Sequence, residues 1–326
     1  MCKVSVIIPI YNVSRFIERC VESLMLQMLV EVEYIFVDDA TPDSSIQMLE
    51  EVVARYPERR EQVRIVHHET NKGLPAARNT GLALATGEYI FHCDSDDYVE
   101  PTMLEELYRA AKEKDADVVW CDWYLSFEKN ERYMRQPSYE TSIEAVKGML
   151  SGAMKFTIWN KLIRRSLYID NGIEFPTGYG MGEDMTTIML FARAERVAYI
   201  PKALYHYVKL NTSAYTQTYS PRHIVDLQYN VKRVEEYLQS CFGNTFDEEI
   251  AFLKLDVKFP YLISSSKNNY QIWQQMYPEA NAYIGKNKRI SVRSRLLQWC
   301  AWKNIYFILQ CHYFLLHKIV YGFFYK

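Results

Sequence analysis

The sequence predicts an α/β fold, in which a mostly parallel central sheet is covered by helices and followed by a C-terminal helical appendage. Short apolar, β-branched runs alternate with helical patterns through the first hundred residues, with short connections between them. From about residue 221, apolar residues recur at helical spacing instead. With 326 residues and 49% hydrophobic content, the chain is long enough for one large domain with an appendage.

The first strand is predicted at 4–10, a continuous apolar run of the kind that parallel sheets bury. Ser14 is the predicted N-cap of the helix that follows. Asp43 or Ser44 caps the next helix, which runs to about residue 56. The remaining predictions are strands at 32–37, 63–66, 88–93, 117–122 and 199–208, helices at about 75–85 and 143–150, and a loop or hairpin at 123–142.

Polar side chains follow the first four predicted strands. They are Tyr11 and Asn12, Asp38 and Asp39, His67 and His68, and the run Asp94-Ser95-Asp96-Asp97. Because the carboxyl ends of parallel strands meet at one edge of a sheet, these groups predict a binding cleft there. Singly, each has a plainer explanation, such as a helix cap or a hydrogen-bonded loop histidine.

The run Asp94-Ser95-Asp96-Asp97 places three carboxylates in four residues. Ionised carboxylates this close repel one another, so the arrangement favours a positively charged partner, such as a divalent metal with a bound phosphate ester. Oxygen ligands favour Mg²⁺ or Mn²⁺ over Zn²⁺. The alternative is an acidic loop that precedes a helix opened by Pro101.

The sequence contains neither GxGxxG nor GxxxxGK[ST], so a phosphate must be held by a metal or by basic side chains. Lys72 and Arg78 suit the second role, just before and within the third helix. The alternative for Arg78 is a solvated helix residue, although its small neighbours Ala76, Ala77 and Gly81 suit close packing.

Four blocks in this order resemble the family 2 glycosyltransferases, inverting enzymes with the GT-A nucleotide-diphospho-sugar transferase fold. The blocks are VSVIIPIYN (4–12), VDDATPDSS (37–45), NKGLPAARNTGLALATGEYI (71–90) and DSDD (94–97). The resemblance implies a metal-dependent hexosyltransferase that moves a sugar, usually from a UDP-sugar, to an acceptor hydroxyl. It also implies a role in bacterial cell-surface or capsular polysaccharide synthesis.

The resemblance implies that Pro9, Tyr11 and Asp39 line a pocket for uracil and ribose, with Asp39 accepting a hydrogen bond from the uracil ring. Further donor contacts are expected from Lys72, Arg78, Asp94 and Ser95. Asp96 would bind the Mn²⁺ or Mg²⁺ ion that bridges the two phosphates, and Asp94 would assist it. His206 is a further candidate for the metal or a phosphate, with a buried structural histidine as the alternative. Ser213 lies in a loop that could close the site.

Gly178-Tyr-Gly-Met-Gly182 leads into Glu183-Asp184 at the start of a predicted helix. Capping alone could explain carboxylates there, whereas the glycines favour a mobile lid. The resemblance assigns the catalytic base to Asp184, with Glu183 second. On the acceptor side it points to the segment that contains Trp159, where Asn160 and Lys161 could contact hydroxyls or phosphate. Trp159 could stack on a sugar or be a core tryptophan.

The predicted domains are a catalytic domain at 1–220, with a nucleotide-sugar half at 1–100 and an acceptor half at 101–220, and a helical region at 221–326. All 40 acidic residues lie at or before Glu279, and eight Lys and Arg follow it without an acid. Aromatic and basic residues mixed over 296–325 favour a helix in a membrane interface. The alternative is a helix packed on the catalytic domain or a partner subunit. No apolar run there reaches the length of a spanning helix.

Seven scattered cysteines without a CxxC pair predict neither a disulfide framework nor a zinc site. Together with a start that shows no signal peptide, they predict a cytoplasmic protein, peripheral on the inner face of the membrane. No nucleic-acid partner is expected, and self-association stays open. A nucleotidyltransferase that makes a nucleotide-sugar is one alternative, but it would want a basic, glycine-rich loop after the first strand. A non-catalytic nucleotide-sugar-binding protein is another, and it would be expected to lack some acidic groups.

Overall fold

The computed structural model describes residues 2–210 and 221–316. Within them, the strands are β1 (Val4–Ile10), β2 (Val32–Asp38), β3 (Val63–His67), β4 (Tyr89–His92), β5 (Tyr98–Val99), β6 (Val118–Ser126), β7 (Glu131–Met134), β8 (Lys161–Arg164) and β9 (Val197–Val208). The α-helices there are α1 (Ile17–Met25), α2 (Ser45–Val53), α3 (Leu74–Leu84), α4 (Met103–Lys114), α5 (Ser142–Leu150), α6 (Arg165–Asp170), α7 (Thr186–Arg193), α8 (Pro221–Phe242), α9 (Asp247–Lys258), α10 (Lys267–Gln275), α11 (Val292–Trp302) and α12 (Tyr306–Phe314).

The strands form one mixed sheet in the order β3-β2-β1-β4-β8-β6-β9-β5, with β7 paired to β6. β1 is parallel to both β2 and β4, and β2 is parallel to β3. The predicted α/β class is therefore confirmed. β8 runs antiparallel to β4 and β6, and the two-residue β5 runs antiparallel to β9. Parallel pairing therefore joins β1 to β4, whereas the later strands pair in both directions.

All seven residues of β1 are buried, as its unbroken apolar sequence requires. The core on one face of the sheet joins β1 to α1, which contributes Ile17, Val21 and Leu24. Gly81 lets α3 lie against β1, because a Cβ at that position would overlap the side chain of Ile7. This close packing fixes α3, and with it Arg78, relative to the ends of β1 and β4.

The predicted cap at Ser14 is wrong. α1 begins only at Ile17, and Ser14 instead donates its backbone N–H to the Asp43 carboxylate at 2.8 Å. Asp43 also accepts hydrogen bonds from Thr41 and Ser45, so it joins the loops after β1 and β2. α2 ends at Val53, three residues before the predicted end, because the chain turns toward a 3-10 segment at Pro57–Gln62.

The described chain forms two compact units. The first unit comprises residues 2–126, 131–142, 156–210 and 221–230 and contains the sheet and every predicted site residue. The second unit, residues 127–130, 143–155 and 231–316, is mainly helical. Within it, the buried Lys258 ammonium donates to the Met276 carbonyl and the Asn281 side chain, both at 2.8 Å. Ser213 lies outside the described residues, as does the end of the predicted interfacial segment.

The seven cysteines all lie in the described chain and are free thiols, as their scattered positions predict. Among the described helices, none combines the length and the apolar character that crossing a membrane requires.

Candidate active site

The parallel pairing brings the ends of β1, β2, β3 and β4 to the same sheet edge. Backbone hydrogen bonds join the loops there, because Asp39 donates to the Ile10 carbonyl at 3.0 Å and His68 donates to the Asp38 carbonyl at 2.8 Å. Tyr11 is half exposed at this edge. Pro9 lies in β1 beside Val37 of β2. The sequence-predicted nucleotide pocket therefore has an ordered floor.

Asp39 is buried, and its carboxylate holds the turn before α3. It accepts the backbone N–H groups of Lys72 and Gly73 at 2.8 and 2.7 Å. Nδ1 of His68 lies 2.7 Å from the same carboxylate. A carboxylate offers about four lone-pair positions, so three protein partners leave room for one further donor, as a uracil N–H would require. The same bonds place the Lys72 side chain, which is exposed, at this edge.

Arg78 is the centre of the site. Its guanidinium is 1% exposed and contacts three carboxylates that are far apart in the sequence. Nη2 lies 2.9 Å from Asp94, and Nη1 lies 2.8 Å from Asp184 and 3.3 Å from Glu183. The solvated alternative for Arg78 is excluded by this burial. One buried cation thus joins the Asp94 loop to the carboxyl pair that precedes α7.

Burial and charge together shift the pKa values of this cluster. Burial lowers the pKa of Arg78, but the neighbouring Asp184, Asp94 and Glu183 outweigh it and the net shift is upward. Burial and the charge on Asp184 raise the pKa of Glu183 to about 8. Burial also raises the pKa of Asp184, and Arg78 opposes that rise. The pair Glu183–Asp184 therefore has the higher proton affinity expected of an acid–base group.

Glu183–Met185 forms a short 3-10 turn directly before α7. The carboxylates thus stand at a helix start, as in the capping alternative, but the N-cap residues of the turn and of α7 are Gly182 and Met185. Both carboxylates form ion pairs with the Arg78 side chain. Gly182 adopts φ +87°, which favours glycine, and a Cβ there would lie 2.9 Å from the Met185 methyl carbon.

The two aspartates at the end of the DSDD run differ in their surroundings. Asp97 is buried and accepts the Tyr205 hydroxyl at 2.8 Å and the Val208 backbone N–H at 2.7 Å. Burial, with the nearby Asp96 and Asp94 charges, raises the pKa of Asp97 well above its ordinary value. Asp96 is only half-buried. Ser95, which lies between Asp94 and Asp96 in the sequence, is buried. Asp97 therefore anchors the loop, whereas Asp94 and Asp96 lie nearer to solvent.

Asp94 and Asp96 present carboxylate oxygens, which are the ligands that Mg²⁺ and Mn²⁺ prefer. Across residues 2–210 and 221–316, no group of three or more His, Cys, Asp or Glu side chains is arranged to hold a metal ion. Mg²⁺ in phosphate-transfer sites is commonly bound through one or two carboxylates, and substrate phosphates and water complete its shell. The residues present therefore fit a metal that binds together with a diphosphate.

His206 is buried in β9, and its ring is enclosed by other side chains. Its nitrogens lie 2.8 Å from Glu131 and 2.9 Å from Glu100, and its ring stacks on Tyr98 with centroids 4.1 Å apart. These contacts favour the structural alternative. Its role at a metal or phosphate stays a prediction, and would require one of the two carboxylates to move away.

The acceptor-side candidates Trp159, Asn160 and Lys161 are all buried. Trp159 stacks on Tyr205 with centroids 4.5 Å apart, which favours the core alternative over a sugar platform. Asn160 donates to the Cys121 carbonyl at 2.8 Å and accepts from the Lys161 ammonium at 2.9 Å. Burial lowers the pKa of Lys161 to about 7, and the nearby Asp184 opposes this shift. Their acceptor roles stay predictions.

The sequence did not single out Tyr205, whose hydroxyl joins two parts of the DSDD loop. It donates to Asp97 and accepts the backbone N–H of Asp94 at 3.2 Å. In the sequence, Tyr205 stands beside His206 in an aromatic run of β9. That pattern does not distinguish a ring that fills the core from one that positions the DSDD loop. The sequence indicated Asp43 only as a helix cap, although its carboxylate joins the loops after β1 and β2.

The mixed sheet and its covering helices match the GT-A fold of solved glycosyltransferase structures. The sequence pattern of Glycosyl transferase family 2 matches residues 5–185, more than half of the 326-residue chain. The chain belongs to this family. The resemblance seen in the four sequence blocks is thereby confirmed.

Two relatives and one solved structure illustrate the similarity. An uncharacterized glycosyltransferase of Bacillus subtilis, EpsJ, is 34% identical over 67% of this chain and 64% of its own length, slightly less than two thirds. A poly(ribitol-phosphate) beta-glucosyltransferase of Bacillus spizizenii is 31% identical over 63% of this chain and 32% of its own length. The crystal structure of S. aureus TarS 1–349 with UDP-GlcNAc has a TM-score of 0.67 at 19% identity, covering 99% of this chain and 93% of that one. This last likeness shows the fold.

Proposed function

We propose that this protein is an inverting, metal-dependent hexosyltransferase, which moves a sugar from a UDP-sugar to an acceptor hydroxyl in cell-surface polysaccharide synthesis. The observation that carries the proposal is the Arg78 cluster, which holds Asp184 beside the Asp94 loop. Membership in the family, the TarS complex with UDP-GlcNAc and the relative that glucosylates poly(ribitol-phosphate) support the donor and acceptor classes.

In the proposed reaction, the acceptor oxygen forms a bond to C1 of the sugar as the bond from C1 to the diphosphate oxygen breaks. Asp184 takes the proton of the attacking hydroxyl, and the diphosphate leaves with the bonding electron pair. A single displacement needs one base and inverts the configuration at C1, whereas a retaining glycosidase uses two carboxylates about 5 Å apart. Glu183, whose pKa is raised to about 8, is the second candidate for the proton.

Arg78 serves two groups in this proposal. Its pairing with Asp184 favours the ionised carboxylate that a base must be, because a neighbouring cation lowers a carboxyl pKa. Its pairing with Asp94 lies on the donor side. A divalent metal bound with the diphosphate supplies electrostatic stabilisation of the leaving group. Asp96 is the proposed ligand for Mg²⁺ or Mn²⁺, and Asp94 its assistant.

The donor nucleotide is proposed to bind on the floor formed by the ends of β1 and β2. Tyr11, half exposed, offers a ring face for the base, and Asp39 retains an acceptor position for the uracil N–H. Pro9 and Ser95 border the floor, and Lys72 lies within reach of phosphates from the turn before α3. The acceptor is proposed to approach from the side of Asp184 and Lys161.

The experiment is a donor screen that measures UDP or GDP release with common nucleotide-sugars, with and without sugar and polyol-phosphate acceptors. We expect acceptor-stimulated UDP release that EDTA abolishes and Mn²⁺ or Mg²⁺ restores. NMR of the purified product gives the anomeric configuration. Retention at C1, or turnover only in the direction of nucleotide-sugar synthesis from a sugar phosphate, would contradict the proposal.

We also propose that the second unit places the enzyme at the inner face of a membrane. The exposed rings of Trp299 and Trp302 lie on α11, and that of Phe307 lies on α12. The basic residues Arg293 and Lys303 are near them in the sequence. Aromatic and basic side chains together suit the interface of an anionic bilayer. Replacing the three rings by Ser should reduce sedimentation with phosphatidylglycerol vesicles, and unchanged sedimentation would contradict the proposal.

A further inference from the structure

The candidate base follows a loop that has little structure of its own. This base loop, residues 178–182, contains three glycines, and Gly178 and Gly182 adopt φ values of +84° and +87°. Glycines add conformational freedom, so such a loop holds one conformation only if other elements fix it. Within the first unit, the contacts that fix it come from the first ten residues of α8, 221–230.

Asn230 provides the most buried of these contacts. Its side chain is fully buried, and its amide nitrogen lies 3.0 Å from the Met181 carbonyl and 3.3 Å from the Tyr179 carbonyl. The same nitrogen lies 3.1 Å from the Asp226 carbonyl in its own helix. Two loop carbonyls that precede the base are therefore tied to one amide group.

Three further side chains of α8 contact the base loop. Asp226 is buried, and its carboxylate accepts the Met181 backbone N–H at 3.3 Å. Arg222 donates to the Gly178 carbonyl and forms an ion pair with Asp226 at 2.9 Å. Tyr229 stacks on Tyr179 with ring centroids 3.6 Å apart and planes 5° from parallel. The loop is thus held along its whole length.

The loop conformation sets the position of the carboxylates. Met185 donates its N–H to the Gly182 carbonyl at 3.0 Å, so the turn that carries Glu183 and Asp184 starts directly from the loop. A Cβ at Gly182 would lie 3.3 Å from Leu227 of α8, which shows how closely the loop and the helix pack. A shift of the loop would therefore move Asp184 relative to Arg78, which lies 2.8 Å away.

We propose that Asn230 and Tyr229 are positioning residues, which act through the base loop to hold Asp184 where it can accept the acceptor proton. This inference rests on the proposed function of Asp184. The family pattern ends at residue 185, so these positioning residues come from a part of the chain outside it. The proposed donor floor rests on other contacts, since Asp39 is held by the backbone of the turn before α3 and Asp97 by that of β9.

This division predicts a separation of kinetic effects. General-base catalysis requires the base within about 2.6–3.2 Å of the proton, and a displacement of about 1 Å can cost about 100-fold in rate. Loosening the loop should therefore lower kcat and leave the affinity for the nucleotide-sugar unchanged. A role in folding alone would change thermal stability without this selective loss of kcat.

The test compares Asn230→Asp, Asn230→Ala and Tyr229→Leu with the matched control Gln228→Ala, an exposed residue of the same helix. Asn230→Asp keeps the shape of the side chain but removes the donor. For both Asn230 variants we expect kcat for transfer to fall about 10- to 100-fold, with the Kd of UDP-sugar, by calorimetry, within twofold of wild type. Tyr229→Leu should lower kcat by a smaller factor, and Gln228→Ala should not change it.

Thermal unfolding of each variant accompanies the kinetics. Because Tyr229 is 40% exposed, its substitution tests the same loop even if the Asn230 variants do not fold. An active wild type with unchanged kcat in the folded variants would overturn the positioning role alone. A loss of donor affinity that parallels the loss of kcat would overturn it as well. A wild type that transfers no sugar from any donor would instead overturn the proposed function, and this inference with it.

Discussion

Asp39 and Asp97 are held by the backbone, whereas Asp94, Glu183 and Asp184 share one side chain. The first two accept backbone N–H groups of Lys72, Gly73 and Val208 at 2.7–2.8 Å. The last three contact Arg78 at 2.8–3.3 Å. A bond to backbone can be exchanged only by moving the chain, whereas an arginine–carboxylate pair can exchange one partner for a phosphate or a proton.

The partners distinguish carboxylates that hold loops from carboxylates proposed to take part in the reaction. The residue types alone do not separate the five, but their hydrogen-bond partners do. Backbone-bound carboxylates shape the loops. In the proposed function, those paired with Arg78 exchange a partner when substrate binds. The following substitutions test whether the two groups of carboxylates differ in this way.

Removing the shared cation should have the largest effect. Arg78→Met leaves three carboxylates without their buried partner, and removing one member of a buried ion pair typically costs about 3–5 kcal/mol. We expect a loss of that order in the free energy of unfolding by urea, together with loss of transfer. Arg78→Lys, which keeps a charge but not the planar geometry, is the control and should retain more stability than the Met variant. Unchanged stability of Arg78→Met would show that the three carboxylates do not depend on it.

Asp96→Ala and Asp97→Ala should have opposite profiles. Asp97→Ala leaves the Val208 N–H and the Tyr205 hydroxyl without their acceptor, at about 1–3 kcal/mol for each buried group. Asp96→Ala, at a half-buried position, should reduce metal-dependent turnover far more than stability. Urea unfolding and UDP release at several Mn²⁺ concentrations measure the two effects. Equal losses of stability in both variants would remove the distinction between anchor and metal ligand.

The smallest of these effects is expected in the pH dependence of kcat. Burial raises the pKa of the Asp184 carboxyl above its ordinary value, and a base must be ionised. Turnover is therefore present at higher pH and falls as the pH drops through this raised pKa, so the acid limb of kcat should lie above pH 3.8, the ordinary value for Asp. Rate profiles from pH 3 to 9 at saturating donor test this. A rate that stays constant down to the ordinary pKa of an aspartate would contradict it.

The donor half could be predicted from the sequence because its signals are local. A buried parallel strand is an unbroken apolar run, and in β2 and β4 an acidic residue lies within two positions of the last strand residue, so the sheet edge follows from the chain order. The candidate donor-binding residues at this edge could then be predicted from their residue types alone. The predicted helix cap at Ser14 was wrong, because the Ser14 backbone N–H donates to Asp43, 29 positions away in the sequence.

The rest depended on long-range contacts. Arg78 meets Asp184 across 106 positions, and no local pattern distinguishes this pair from a solvated arginine and a capped helix. Trp159 could be a core or a sugar-binding residue in sequence, and only its stacking on Tyr205 favours the core. The strand β5 has two residues and cannot be recognised by periodicity. In the sequence, Asn230 is an ordinary polar residue of a helix, and its proposed positioning role follows only from its contacts in the structure.

The central claim, that Asp184 is the base of an inverting transfer, is tested most directly by Asp184→Asn. The amide keeps the size of the side chain but cannot accept the acceptor proton. General-base catalysis contributes about 10²- to 10⁴-fold, so we expect kcat to fall by this factor while calorimetry with UDP-sugar and Mn²⁺ gives a Kd close to that of the wild type. Full transfer activity in the Asp184→Asn protein would contradict the account.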